Sequence, residues 1–159
     1  MTAPSSTHPL LGHGFFWQEL AVGQKFQTFR RTVTETDLVN FISVTGMLEQ
    51  IFIDAEGASA AIGGRPVPAA LTYCLIEGFI LQTMIQGTGM AMLECSQKVT
   101  GPVRVNDSIH AVVEVTGIRP TSKGGRAIVD SSIEVFNQRG DSVLQYTARR
   151  MLAGRPTPN

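Results

Sequence analysis

The sequence predicts an α+β domain in which one long helix lies across a curved antiparallel sheet. Three observations predict it. Residues 69–86 form an almost uniformly apolar stretch behind two prolines. Four segments with strand-like patterning follow it. The stretches that separate those segments are rich in turn formers. A helix that is apolar all round must be enclosed by protein, and a sheet must have one face covered. Each therefore supplies what the other lacks. The 159 residues suit a single domain, read as residues 15–153 between flexible tails at 1–14 and 154–159.

Residues 26–33 carry β-branched and aromatic side chains and make the first strand candidate. Thr34-Glu35-Thr36-Asp37 then places an acid three residues after a threonine, a capping box that opens a helix. Leu38, Phe41, Ile42 and Thr45 share one face at helical spacing. Gly46 ends this short helix, read over 36–46. Residues 47–68 form an irregular excursion with a short helix expected around 55–62. Gly63-Gly64-Arg65-Pro66-Val67-Pro68 fixes a loop.

Pro68 opens the long helix, because its missing N–H would be unpaired in the first turn in any case. Leu71, Cys74, Leu75, Ile76, Phe79, Ile80, Leu81, Met84 and Ile85 make it apolar, and Gly87-Thr88-Gly89 ends it. Strands are expected at 91–99, 105–118, 126–137 and 142–152. Val105, Ile109, Ala111, Val113 and Val115 alternate with polar neighbours, as in a half-buried strand. Arg139-Gly140-Asp141 suggests a tight hairpin.

Composition excludes several classes. Thirteen basic residues balance thirteen acidic ones, so nothing advertises a nucleic-acid partner, which needs a clustered basic surface. The longest apolar segment, 75–85, is interrupted by Glu77, Gln82 and Thr83 and falls short of the roughly 18 residues of a membrane span. The start has no basic region followed by an apolar one, so it reads as a tail and not a leader. Cys74 and Cys95 are expected to be buried, reduced thiols, and the chain to be cytoplasmic. No His, Cys or Asp cluster has metal-ligand spacing, and no cofactor is expected.

The order of elements, together with four stretches, resembles the MaoC-like (R)-specific enoyl-CoA hydratases, which have the hot-dog fold. The stretches are Val22-Gly23-Gln24-Lys25-Phe26, residues 34–46, Gly101-Pro102-Val103-Arg104-Val105-Asn106-Asp107-Ser108-Ile109 and Asn137-Gln138-Arg139-Gly140-Asp141-Ser142-Val143-Leu144. They spread the resemblance over residues 16–151. It implies an acyl-CoA ligand, a homodimer or higher homo-oligomer, and addition or loss of water at an enoyl- or 3-hydroxyacyl-thioester.

In that family the short helix ends in Thr/Ser-Gly and is followed by Asp-x-Asn-Pro-x-His-x-Asp, whose first Asp and His handle the water. Thr45-Gly46 match. Met47 stands at the catalytic Asp, Glu49-Gln50 replace Asn-Pro, Phe52 stands at the catalytic His, and Asp54 matches the last Asp. Met and Phe cannot transfer protons, whereas acid–base catalysis needs a titratable group within hydrogen-bond reach. The family's second element is a backbone N–H at the start of the long helix that polarises the thioester carbonyl. Here that place is held by Arg65-Pro66-Val67-Pro68-Ala69-Ala70, and a helix N-terminus offers free N–H groups whatever its side chains.

Three carboxylates are candidates for displaced chemistry. Glu49 is nearest the lost pair, or else a loop carboxylate, solvated or paired with Arg65. Asp54 is a second candidate, or else a cap for the helix after it. Glu77 lies in an otherwise apolar helix, eight residues after Ala69, where hot-dog thioesterases carry an acid. The competing role for it is a structural carboxylate at a dimer interface. Met47, Phe52, Arg65, Pro68, Ala69, Ala70 and Tyr73 are the expected substrate contacts. The basic residues around 121–125 (Arg119, Lys123 and Arg126) and the pair Arg149 and Arg150 are either phosphate contacts or solvated charges. Three readings remain: an atypical hydratase or dehydratase, a thioesterase using Glu77, and a non-catalytic acyl-CoA-binding subunit.

Overall fold

The structure, a computed structural model, describes His8 and residues 10–156; the outer parts of both expected tails lie outside those residues. A 3-10 turn at Trp17–Glu19 precedes β1 (Lys25–Gln27) and β2 (Arg31–Thr32). Then come α1 (Glu35–Thr45), α2 (Gln50–Ile53), α3 (Gly57–Ala61) and the long α4 (Ala69–Gln82). Four strands complete the chain: β3 (Gly89–Val99), β4 (Ser108–Pro120), β5 (Arg126–Phe136) and β6 (Ser142–Ala153). The sheet runs β1-β4-β5-β6-β3, all pairs antiparallel, with β2 also on β4. This is the expected hot-dog architecture.

The alternation predicted for β4 holds: Ile109, Ala111, Val113 and Val115 are buried. They meet Val33, Leu38 and Ile42 from the α1 region and Leu71, Ile76 and Ile80 from α4 in one core. The expected first strand breaks in two. The Thr28 amide bonds to the Ala111 carbonyl and its hydroxyl accepts from the Ala111 amide, which interrupts regular pairing between β1 and β2. The final hairpin turns over residues 137–141. There Asn137 Oδ1 accepts from the amides of Arg139 and Asp141, and Gly140 takes a left-handed φ of 84°.

The capping box of α1 forms as predicted. Thr34 Oγ1 accepts from the Asp37 amide at 3.1 Å, and Asp37 Oδ2 accepts from the Thr34 amide at 2.9 Å. Gly46 stops the helix at φ 72°. Burial opposes ionisation of Asp37, but bonds from Thr34 and the charge of Arg31 outweigh it and hold the carboxyl below its ordinary 3.8. A carboxyl whose folded pKa is depressed adds stability above its unfolded pKa and loses it as pH falls through the folded one. Asp37→Asn is expected to cost about 1 kcal/mol at neutral pH. In urea titrations the difference should shrink as pH falls below 3.8.

Two expectations need correction. The long helix ends at Gln82 and not at 86; Thr83 leaves helical geometry at φ −124°, ψ −68°. Met84 and Ile85 keep the apolar pattern because they are buried in the turn that follows. The thiols are exposed on this chain. Cys74 lies on the stripe of α4 that turns outward with Leu81, which is 51% exposed. Cys95 lies on β3, every residue of which is exposed. The enclosure expected for α4 is therefore incomplete within one chain.

Candidate acyl-thioester site

Pro68 caps α4 with φ −54° and ψ 137° and contributes no side-chain hydrogen bond. Its carbonyl accepts from Leu71 N at 2.9 Å and Thr72 N at 3.3 Å. The N–H groups of Ala69 and Ala70 have no acceptor among the described residues. These are the unsatisfied donors that a helix start presents. Beside them is a cavity of about 110 Å³ walled by Val67, Ala69, Thr72, Val99, Pro102 and Leu144.

The loop before Pro68 is fastened on both sides. The Val67 amide donates to the Val103 carbonyl at 2.8 Å, and Pro66 bridges to Arg104. Arg104 Nε donates to the Ile62 carbonyl at 3.1 Å. Arg65 ion-pairs with Glu35 at the start of α1 and reaches the Phe52 carbonyl. Arg65 therefore ties the excursion to α1, and the pairing considered between Arg65 and Glu49 does not form.

Glu49 instead caps α2, its Oε2 accepting from the Ile51 amide at 2.8 Å. Asp54 ends α2 and accepts from the Glu56 amide at 2.9 Å, while Glu56 is the cap residue of α3. Asp54 thus holds the turn into α3 instead of capping it. Met47 is exposed, and Phe52 packs half-buried against the core.

Glu77 lies two turns along α4 in a different setting. It is 8% exposed. Its Oε1 accepts from the Tyr146 hydroxyl at 2.7 Å and from Arg150 Nη2 at 2.5 Å. Tyr73 meets Tyr146 edge to face at 5.1 Å. Burial, then the charge of Glu77, pushes the Tyr73 phenol up to about 12. The same two causes push Tyr146 up further still, so neither phenol ionises near neutral pH.

Sequence reading missed Arg150 and Tyr146 as partners of Glu77. The signal was the strand period: Tyr146, Ala148, Arg150 and Leu152 all fall on the inward phase of β6. Arg149, on the other phase, pairs with Asp130 and Glu94. The basic hairpin between β4 and β5 lies beside Ala153, where β6 ends, since Arg126 pairs with that residue. The α4 start lies beside Leu144. Nine residues of strand separate the two, about 30 Å, so the hairpin and the α4 amides of one chain sit at opposite ends of the sheet.

A family model described as FAS1-like, dehydratase domain region, matches residues 20–146. The chain belongs to this family. It is 22% identical to a 3-hydroxybutyryl-CoA dehydratase of Methylorubrum extorquens, over 81% of this chain and 78% of that one. The crystal structure of a MaoC-like dehydratase from Rhodospirillum rubrum superimposes with a TM-score of 0.81 at 25% identity, covering 91% of this chain and 100% of that one. An R-hydratase from Pseudomonas aeruginosa, in its unliganded form, gives 0.74 at 27%, covering 92% and 95%. Among the described residues of this MaoC-like chain, no cluster of His, Cys, Asp and Glu could hold a metal ion. No helix there is long and apolar enough to cross a membrane.

Proposed function

We propose that this chain is an acyl-CoA-binding member of the MaoC-like hydratase and dehydratase family, one that holds the thioester carbonyl on the Ala69 and Ala70 amides. It is an atypical member, because Met47 and Phe52 stand where the family's proton-transferring pair stands. Glu49 and Asp54 are engaged in helix ends, so neither replaces that pair. The observation that carries the reading is the pair of unpaired amides beside a small apolar cavity at the α4 start. Oriented amides at a helix N-terminus stabilise negative charge growing on a carbonyl oxygen. Water addition by the chain alone is slow or absent. The thioesterase alternative is less well supported, since Glu77 Oε1 already holds both Tyr146 and Arg150. The acting form is at least a homodimer: among the described residues β3 has one strand neighbour, β6, and α4 leaves an apolar stripe uncovered.

Ala69→Pro tests the reading. Pro68 already has the extended ψ that a following proline requires, and proline is tolerated at the first helical position. The substitution removes one donor and keeps the helix. Crotonyl-CoA is expected to raise the melting temperature of the wild type, as a ligand of the folded state must. It should bind Ala69→Pro about tenfold more weakly, the worth of roughly one hydrogen bond. Loss of the enoyl absorbance should be near background in both. No thermal shift in the wild type, or equal affinity in the two proteins, rejects the proposal.

A further inference from the structure

A groove of about 570 Å³ runs between α4 and the start of β3. Leu81, Ile85, Met90 and Met92 give it apolar walls, and Glu77 and Arg150 lie at its base. Arg150 is only 4% exposed, and its Nε is buried without an acceptor among the described residues. A buried donor left unpaired is costly, and native structures rarely keep one without a reason. Glu77 already neutralises the guanidinium. A ligand carboxylate there would add an uncompensated buried charge, whereas a neutral hydroxyl or carbonyl oxygen would complete the donor set without one.

The position of the pair sets the length of the ligand. Eight residues of α4 separate Ala69 from Glu77, which is about 12 Å at the helical rise. That is close to the reach of an extended decanoyl chain. We infer that the groove receives the distal part of an acyl chain of medium length that carries a hydroxy or oxo group far from the thioester, with Arg150 donating to that oxygen. A second copy lying along β3 would roof the groove. The inference rests on the proposed thioester site and names its substrate class.

Binding of butyryl-CoA, decanoyl-CoA and ω-hydroxydecanoyl-CoA to the full chain tests this by calorimetry. The hydroxylated chain is expected to bind about ten- to a hundredfold tighter than the plain one, the range for a hydrogen bond to a charged group. The preference should vanish in Glu77→Leu/Arg150→Met, which removes the pair together. A second variant leaves the pair intact. A Cβ on Gly78 would meet only Gln82 Nε2, at 3.9 Å, so Gly78→Phe fits and fills the groove. It should abolish decanoyl binding and spare butyryl binding. Equal affinity of the wild type for the two long chains overturns the inference. So does a Gly78→Phe protein that keeps decanoyl affinity but changes its sedimentation, since the groove is then filled by a second copy. If butyryl-CoA also fails to bind the wild type, the thioester site itself is lost, and the inference with it.

Discussion

Glu77→Leu should lower the free energy of unfolding by about 3–5 kcal/mol, while Glu77→Leu/Arg150→Met should lower it far less. The single change leaves a guanidinium that is 4% exposed with no counter-charge, and it takes the acceptor from the Tyr146 hydroxyl. The double change removes both charges and lets the side chains join Leu81 and Ile85 in an apolar environment. Urea melts of the four proteins in the cycle (wild type, Glu77→Leu, Arg150→Met and the pair) measure the coupling directly. If the double variant loses as much stability as the two single variants added together, the pair is not coupled.

The second large effect concerns chemistry. Met47→Asp/Phe52→His is expected to raise crotonyl-CoA hydration about 10²- to 10⁴-fold above the wild type, the usual contribution of positioned acid–base groups. Met47 is exposed, so a carboxylate there costs little. Phe52 lies half-buried on α2 with its carbonyl tied to Arg65, so an imidazole of smaller volume can take its place without moving the backbone. Either substitution alone should give little, because the family's reaction uses the Asp and the His as a unit. A folded double variant that binds acyl-CoA yet hydrates no faster would show that residues 47 and 52 do not face the bound thioester.

Much of this molecule was legible before its coordinates. The cap at Thr34, the stop at Gly46 and the phase of β4 each follow from local chemistry that the fold does not override. What escaped reading did so for identifiable reasons. The single turn of α2 has too few residues to show a period, and its signal is one carboxylate, Glu49, bonding an amide two residues on. The apolar pattern runs past the end of α4 because Met84 and Ile85 are buried in a turn, and burial alone does not separate turn from helix. The partner of Glu77 lies 73 residues away in sequence. Arginines also read by default as surface residues, so the inward phase of Arg150 was visible but unused. The start of α4 is readable from the chain because two prolines and two glycines leave the backbone few alternatives there.

The bare flank of β3 bears on how the protein behaves in a tube. An uncovered edge of eleven residues is a template on which further strands add. Two irregularities in its register, at Gly89/Ala91 and Met92/Glu94, bend it, and Glu94 and Lys98 place charges along it, both of which discourage stray pairing. With a second copy along that edge, as proposed, the contact closes at two chains. Concentrated material should then stay clear and sediment as a dimer, and dilution or a variant that blocks the pairing should bare the edge and make the protein scatter light.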